Sequence, residues 1–159
     1  MRKALLVGGL LGLPATIGMS HQIPKVAVDR DPRLQRLQEF FAQRECPLQK
    51  VAADFLTAAD RNDLDWRLLP SISIIESSGG KDSRKNNVFG WDSCHAGFPS
   101  VREGIHFVAA QLANSKRYRD KDLDAKLSTY NPRPDYPGRV KAVMKTLGSE
   151  DLAHIARLN

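Results

Sequence analysis

Apolar side chains recur every three or four residues along most of the chain after residue 31, which is the spacing of amphipathic helices. The stripes are Leu34, Leu37 and Phe41; Leu48, Val51, Ala52, Phe55, Leu56 and Ala59; Trp66, Leu69, Ile72, Ile74 and Ile75; Val101, Ile105, Val108, Ala109 and Leu112; and Val140, Val143, Met144 and Leu147. Short helices over 122–127 and at the end of the chain complete the pattern. It predicts one mainly α-helical domain over residues 31–159.

Residues that begin or end helices stand at the borders of these stripes. Asp31-Pro32 combines an N-cap residue with proline at the first helical position, and Asp65 is placed to cap the third helix. Pro70 perturbs the first turns of that helix, and Gly79-Gly80 ends it. Ser100–Glu103 fits a capping box at the start of the fourth helix. Residues 81–99, rich in Asn, Ser and Gly, are predicted to form a loop or a short hairpin between these two helices.

The first twenty residues have the pattern of an export signal. Arg2 and Lys3 precede an apolar or neutral stretch over 4–19, and Gly18 and Ser20 are spaced like a signal-peptidase site. A membrane anchor is the alternative, although the stretch is shorter than the ~20 apolar residues of a membrane span. We expect a signal peptide over 1–20, a flexible lead-in over 21–30, and a protein that works in the periplasm or outside the cell.

Charge and cysteine content narrow the expected partners. The net charge of +6 favours anionic partners such as cell-wall polymers or acidic lipid, and the absence of any Lys/Arg run longer than two argues against nucleic acid. Cys46 and Cys94 are an even pair, which in an exported protein predicts a disulfide; two separate thiols are the alternative. Cys94-His95 lacks a second ligand pair at a recognisable spacing, so no metal or other cofactor is expected.

Glu76 is the first candidate for chemistry. It stands at the end of the apolar third helix, just before Ser77-Ser78-Gly79-Gly80. The negative end of the helix dipole and neighbours such as Ile75 disfavour the ionised carboxylate. A protonated carboxyl is what protonation of a glycosidic oxygen needs. An exposed glutamate before a helix stop is the plainer interpretation.

Two further segments carry residues that are typical of sugar sites. Asn86–Trp91 brings together two amides, Phe89, Gly90 and Trp91, which suits binding of hydroxyl and N-acetyl groups and of apolar sugar faces. Tyr130, Asn131 and Tyr136 surround a proline-rich turn, and either tyrosine hydroxyl is able to stabilise developing charge. Structural alternatives are a tight turn with Phe89 in the core, and tyrosines that flank a helix start capped by Asp135.

The order and spacing of these motifs resemble the bacterial glucosaminidase domain, a peptidoglycan-cleaving family of the lysozyme-like superfamily. The likeness runs from about Trp66 to Leu147 and includes Phe98–Ile105. It implies a lysozyme-like fold, Glu76 as the general acid and Tyr130 as a functional tyrosine. Ser77, Asn87, Phe89, Gly90, Trp91, Asn131 and Tyr136 are then the expected substrate-binding residues. The Tyr130-Asn131 pair is also similar to that of the related lytic transglycosylases.

A second catalytic carboxylate is less evident. Asp82, Asp92 and Glu103 are candidates, but the capping box accounts for Glu103, and Asp92 is the preferred group to position a water molecule. Three functions therefore remain open at this point: a monomeric peptidoglycan hydrolase, a lytic transglycosylase, or a catalytically inactive cell-wall-binding or assembly protein on the same fold. The retained Glu76 argues against the third.

Overall fold

The computed structural model describes residues 31–149 and residue 152 of the 159-residue chain. This part of the chain holds six α-helices and no β-strand. The helices are α1 (Pro32–Ala42), α2 (Ala52–Arg61), α3 (Leu68–Ser77), α4 (Val101–Asn114), α5 (Leu123–Tyr130) and α6 (Tyr136–Leu147), with 3-10 turns at Pro47–Val51 and Trp91–Cys94. The predicted mainly α fold is confirmed. Between α3 and α4 the hairpin is reduced to one isolated bridge from Arg84 to Asn87.

Two of the predicted helix starts are confirmed by their hydrogen bonds. The Asp31 carboxylate accepts a hydrogen bond from the backbone N–H of Arg33 at 2.9 Å, with Pro32 at the first position of α1. At the start of α4, the Ser100 hydroxyl accepts from the N–H of Glu103 at 3.2 Å. Both caps satisfy N–H groups that the first helical turn leaves without backbone partners.

The predicted cap of α3 is wrong by two residues, since the N-cap position is occupied by Arg67 and not by Asp65. The Asp65 carboxylate does accept from the N–H of Arg67 at 2.9 Å, but the same carboxylate also pairs with the Arg67 guanidinium at 2.6 Å. Asp65 and Arg67 thus form a turn of their own, and α3 begins only at Leu68. Pro70 consequently falls in the first turn of α3, where its missing N–H removes no helical hydrogen bond.

Helix α3 lies at the centre of the fold, in contact with α2 and with α6, while α2 also packs on α4. Leu68, Leu69 and Ile72 are buried on α3. Four rings from three parts of the chain follow one another with centroids 5.6–6.2 Å apart: Phe40, Phe41, Phe55 and Phe89. This core holds the loop after α3 against the helices, because Phe89 belongs to that loop.

Two arginines tie the C-terminal end of α6 to distant parts of the chain. Arg36 of α1 donates hydrogen bonds to the carbonyls of Leu147 at 2.8 Å and Thr146 at 2.6 Å. Arg67, just before α3, donates to the carbonyl of Gly148 at 2.8 Å. These bonds satisfy carbonyls that the end of a helix leaves without partners, and they anchor α6 beside α1 and α3.

The predicted disulfide is wrong, since both cysteines are free. Cys46 is buried beside the end of α3, with its sulfur 3.6 Å from the carbonyl oxygens of Arg44 and Ser78. Cys94 is exposed on the loop that follows Trp91. An even count of cysteines carries no information about their separation in space, and here one thiol is inside the fold and the other on its surface.

Several expectations fall on residues outside the described part. The signal peptide or anchor over 1–20, the lead-in over 21–30 and the small terminal helix belong to this group. Among the helices of residues 31–149, none is long and apolar enough to cross a membrane.

Candidate active site

Helix α3 ends in a tight turn directly after Glu76. Ser78 adopts a left-handed conformation with φ 53°, and Gly79 and Gly80 follow with φ 69° and 93°. A side chain at Gly79 would place its Cβ 2.3 Å from the sulfur of Cys46, so only glycine fits at this point. The turn directs the chain away from the helix axis and leaves the Glu76 side chain at a border between core and solvent.

Ser77 lies beside Glu76 but faces the interior. Its hydroxyl donates to the carbonyl of Val88 at 2.7 Å and accepts from the N–H of Gly80 at 3.0 Å, and the residue is only 3% exposed. Predicted to bind substrate, Ser77 instead connects the end of α3 to the loop that contains Val88. Its hydroxyl is used within the fold and does not reach the cavity.

Asn87 and Phe89 are also buried, so they support the loop from inside the fold and do not face the cavity. The buried Asn87 amide donates to the carbonyls of Trp91 at 2.9 Å and Ala96 at 3.1 Å, and its oxygen accepts from the N–H of Trp91 at 3.0 Å. Phe89 is fully buried against Phe55. The substrate-binding role predicted for both residues is therefore corrected: one fixes the loop by hydrogen bonds and the other by packing.

Gly90 brings the backbone of this loop against the Glu76 carboxyl. Its φ of 60° is left-handed, and a Cβ at this position would lie 2.9 Å from Oε2 of Glu76. Any other residue would both strain the backbone and displace the carboxyl. Gly90 was predicted to bind substrate; it lines the cavity, where it lets the backbone approach the Glu76 carboxyl closely.

The other oxygen of Glu76 is held by Tyr136, the first residue of α6. The Tyr136 hydroxyl donates to Oε1 at 2.7 Å, and the Tyr136 side chain is fully enclosed with 1% exposure. A direct contact of Tyr136 with substrate is thus excluded by burial, and its role is to orient the carboxyl. Since Oε1 is engaged, Oε2 is the oxygen left to exchange a proton with a bound molecule.

Tyr130 stacks on Tyr136 and faces the cavity with its other side. The two rings are nearly parallel, 8° apart in plane and 6.0 Å between centroids. The Tyr130 hydroxyl donates to the carbonyl of Phe89 at 2.5 Å. Tyr130 therefore clamps α5 to the loop in front of Gly90 while its ring forms part of the cavity wall.

Both tyrosines remain protonated over the range in which enzymes work. Burial raises the pKa of Tyr136, and the hydrogen bond to Glu76 raises it further. Burial likewise raises the pKa of Tyr130 well above its usual value, with a contribution from the charge of Glu76. Each phenol is thus a permanent hydrogen-bond donor, and neither is suited to act as a base.

The cavity in front of Glu76 has a volume of about 820 Å³. It is lined by Gly90–Cys94 and Ala96–Phe98 from the loop, Phe107 from α4, Arg117 and Tyr118 from the segment after α4, and Tyr130–Pro132. Trp91 is the centre of its aromatic wall, with ring centroids 5.9 Å from Phe107, 6.2 Å from Tyr118 and 5.8 Å from Tyr130. The predicted residues Trp91, Tyr130 and Asn131 are brought together here with Glu76.

Among the lining residues that the sequence did not predict as site residues are three large side chains, Phe107, Arg117 and Tyr118. Phe107 is 43% exposed, Tyr118 packs on Trp91, and Arg117 follows α4. A signal for Phe107 does exist, because it is an aromatic residue on the polar side of an amphipathic helix whose apolar face includes Val108. Tyr118 and Arg117 follow the last helical turn in a polar segment, where no periodic pattern marks them.

Of the three candidates for a second carboxylate, only Asp92 lines the cavity. Asp92, Ser93 and Cys94 form a run of left-handed residues with φ of 53°, 52° and 65°, which leaves the Asp92 side chain exposed. Asp82 instead accepts a hydrogen bond from the Ser78 hydroxyl at 2.6 Å. Glu103 is exposed in the first turn of α4.

The assembled groups combine a carboxyl that can exchange a proton with a wall of aromatic and polar side chains. One carboxyl is oriented by a phenol, a second carboxylate stands at the wall, and aromatic rings and the Asn131 amide border the space between them. Within residues 31–149, no cluster of three or more His, Cys, Asp or Glu side chains is arranged to hold a metal ion. No protein family, curated protein sequence or solved structure was found to match the chain.

Proposed function

We propose that this protein cleaves the glycan strands of peptidoglycan, with Glu76 as the general acid. The observation that carries the proposal is the Glu76 carboxyl, fixed at Oε1 by Tyr136 and facing an 820 Å³ cavity with an aromatic wall. The resemblance of the motifs to the bacterial glucosaminidase domain, with its lysozyme-like fold, supports the same assignment. A wall substrate also agrees with the export signal predicted over residues 1–20.

The lining of the cavity suits a polymer of N-acetylated sugars. Trp91 and Phe107 offer ring faces and edges against which the C–H face of a pyranose packs, and the buried Tyr118 supports the Trp91 ring. Asn131 offers an amide that bonds hydroxyl or N-acetyl groups. A volume of this size falls within the range of roughly 300–1,000 Å³ that is usual for ligand sites.

The proposed reaction begins with the proton on Oε2 of Glu76. This proton passes to the glycosidic oxygen, the bond from that oxygen to the anomeric carbon breaks, and positive charge develops on the sugar ring. Water then adds to the anomeric carbon and gives up a proton, either to Asp92 or to the ionised Glu76. The products are two shorter strands, one with a new reducing end.

Asp92 is the carboxylate proposed to position the water, since it shares the cavity wall with Glu76. Without it, the N-acetyl oxygen of the substrate itself is able to attack the anomeric carbon, as in substrate-assisted glycosidases. In both reactions the Tyr130 ring forms part of the cavity wall. In this proposal its hydroxyl keeps the Phe89–Gly90 backbone in place and lends its dipole to the site.

A lytic transglycosylase is the second candidate, favoured by the adjacent Tyr130 and Asn131 at the cavity. In that reaction the sugar's own 6-hydroxyl attacks the anomeric carbon, and an anhydro product forms without water. Mass spectrometry of a peptidoglycan digest separates the two outcomes, because the anhydro product is lighter by one water. We expect reducing ends; a digest dominated by the lighter species would establish the transglycosylase and leave Glu76 in its role.

Replacement of Glu76 by Gln tests the central assignment. The amide keeps the shape and the Tyr136 hydrogen bond but carries no acidic proton, so clearing of purified cell walls is expected to fall by about 10²–10⁴-fold. Glu103→Gln is the matched control, since Glu103 is an exposed carboxylate away from the cavity and its loss should leave clearing unchanged. Wild-type clearing by the Glu76→Gln protein would contradict the proposal. Absence of clearing by the wild type, with retained binding to walls, would instead support an inactive cell-wall-binding protein.

A further inference from the structure

Arg117 has no part in the reaction described above, yet it lines the same cavity as Glu76 and Asp92. It stands in the short segment between α4 and α5 and is exposed to solvent. Among the described residues that line the cavity, it is the only one with a permanent positive charge, and the lining also contains two carboxylic acids.

The guanidinium of Arg117 is held from two sides. One terminal nitrogen donates to the carbonyl of Thr129 at 3.0 Å, and the guanidinium carbon lies 5.6 Å from the centroid of the Tyr118 ring. Tyr118 in turn packs on Trp91. The hydrogen bond and the ring restrict the side chain to the cavity rim, and most of its five N–H donors are left for another acceptor.

Within residues 31–149, no carboxylate forms an ion pair with Arg117. The other arginines of this part of the surface do pair: Arg119 with Asp120 at 3.1 Å, and Arg133 with Asp135 at 3.2 Å. An arginine fixed at the rim of a cavity, without a carboxylate of its own, is arranged for a carboxylate that arrives with the ligand.

We propose that Arg117 binds a carboxylate of the substrate and thereby selects an anionic glycan over a neutral one. The inference rests on the proposed function and sharpens its substrate class. In peptidoglycan, every second sugar carries a lactyl group and a peptide stem with carboxylates, whereas chitin, a polymer of N-acetylglucosamine alone, has none. Arg117 would distinguish the two at a point away from the bond that is cut.

The test uses one glycan in two charge states. Peptidoglycan strands freed of their peptides by an amidase carry a lactyl carboxylate on every second sugar, and treatment with a carbodiimide and ammonia converts these carboxylates to amides. On the carboxylate strands, Arg117→Gln is expected to raise KM about tenfold or more, with kcat little changed, because a charge-assisted hydrogen bond is lost. On the amidated strands, wild type and variant should have equal KM.

Two further variants complete the test. Arg117→Lys should recover part of the affinity, and Arg119→Gln, next to the site but outside the cavity lining, serves as the control.

Binding of the same strands to the Glu76→Gln protein, followed by tryptophan fluorescence, separates this inference from the proposed function. If wild type cuts neither strand but binding still depends on both the carboxylates and Arg117, the inference stands and the enzymatic function fails. If Arg117→Gln weakens both kinds of strand equally, or neither, the inference is overturned. Failure of both strands to bind overturns it as well.

Discussion

Residues 87–89 and residues 91–94 are neighbours in the chain, yet the first group is buried and the second borders the cavity. Asn87, Val88 and Phe89 are 4%, 1% and 0% exposed, whereas Trp91 is half-buried and Asp92 to Cys94 are exposed. The first group holds the loop through the Asn87 amide and the Phe89 ring. The second offers an indole, a carboxylate and a thiol to whatever enters.

The difference shows that support and contact are separate tasks carried by adjacent residues of similar type. Both groups contain an aromatic and a polar side chain, and the change from one to the other occurs at Gly90, where the backbone is left-handed. A reactive carboxyl needs both kinds of neighbour. It must be held in one orientation by buried groups, and it must face a surface that is free to bind.

The largest expected effect is on stability, and it compares a substitution of a buried supporting residue with a substitution of an exposed residue that lines the cavity. Phe89→Ala removes a fully buried ring and is expected to cost about 3–5 kcal/mol of unfolding free energy. Phe107→Ala removes a ring that is 43% exposed and contacts Trp91 and Phe98, so about 0.5–1.5 kcal/mol is expected from the lost ring pairs. Urea denaturation measures both values.

Clearing of cell walls by Phe107→Ala should fall for a different reason than the loss of stability expected of Phe89→Ala. Phe107→Ala is expected to remain folded and to lose activity, because an aromatic surface of the cavity is gone. Equal loss of stability in the two variants, or full activity of Phe107→Ala, would remove the distinction between support and contact.

A smaller effect is expected at Tyr136, whose hydroxyl is the buried partner of Glu76. Tyr136→Phe keeps the ring and removes one hydrogen bond to a carboxyl, which corresponds to about 0.5–1.5 kcal/mol of unfolding free energy for the protonated carboxyl of the proposed mechanism. Activity should also fall, since Oε1 of Glu76 is no longer fixed. Tyr130→Phe is the matched comparison, because it loses a bond to a backbone carbonyl and leaves the Tyr136–Glu76 pair intact.

The pH dependence of stability sharpens the Tyr136 prediction. Because the pKa of Tyr136 is raised in the folded protein, its contribution is complete below the pKa of about 10 of an unfolded tyrosine and is lost as the pH rises above that value. The stability advantage of wild type over Tyr136→Phe should therefore shrink above pH 10, by up to about 1.4 kcal/mol for each pH unit. A constant difference between pH 8 and pH 11, measured by urea midpoints, would contradict the burial of this phenol.

The smallest effect concerns the reactivity of the two cysteines. Cys94 belongs to the exposed group, whereas Cys46 is buried elsewhere, beside the end of α3. Cys94, exposed on the cavity wall, should react quickly with iodoacetamide in the native protein. Cys46 should react only on unfolding, because it is buried and burial raises the pKa of its thiol. Peptide mass mapping after short labelling measures both, and a reductant should leave the melting temperature unchanged. A mass increase of two hydrogen atoms on reduction would show that the disulfide forms after all, against the two free thiols of the structure.

The sequence predicted the fold better than it predicted the detail of the site. Periodicity marked the helices because each buries one face, and Asp31 and Ser100 marked two starts through hydrogen bonds between neighbours in the chain. Asp65 bonds Arg67 in the same way as Asp31 bonds Arg33, yet α3 begins later, after a turn in which the N–H of Leu68 donates to the carbonyl of Asp65 at 2.9 Å. The same local pattern was therefore followed by a helix at one position and by a turn at the other.

At the site, residue types indicated the right segments but not the direction in which each side chain points. Glu76, Trp91, Tyr130 and Asn131 do meet at one cavity. Ser77, Asn87 and Tyr136 proved to be internal. The Tyr136 hydroxyl bonds Glu76, which is 60 residues away, and no local pattern encodes such a pairing or the approach of Phe107 and Arg117 to the cavity. Ser77 and Asn87 bond groups only 3 to 11 residues away, but their residue types did not show that these side chains point inward.

The arginine contacts at the end of α6 also constrain the order in which parts of the protein fold. Arg36 reaches Leu147 over a separation of 111 residues, and Arg67 reaches Gly148 over 81. A nascent chain emerging from the ribosome must release α6 before either contact forms, and α6 also brings Tyr136, the partner of Glu76. Until α6 docks, α1 to α5 lack both arginine contacts. Before α6 docks, the carboxyl of Glu76 lacks the Tyr136 hydroxyl that orients it. The geometry of the site is therefore complete only after the last described helix has packed.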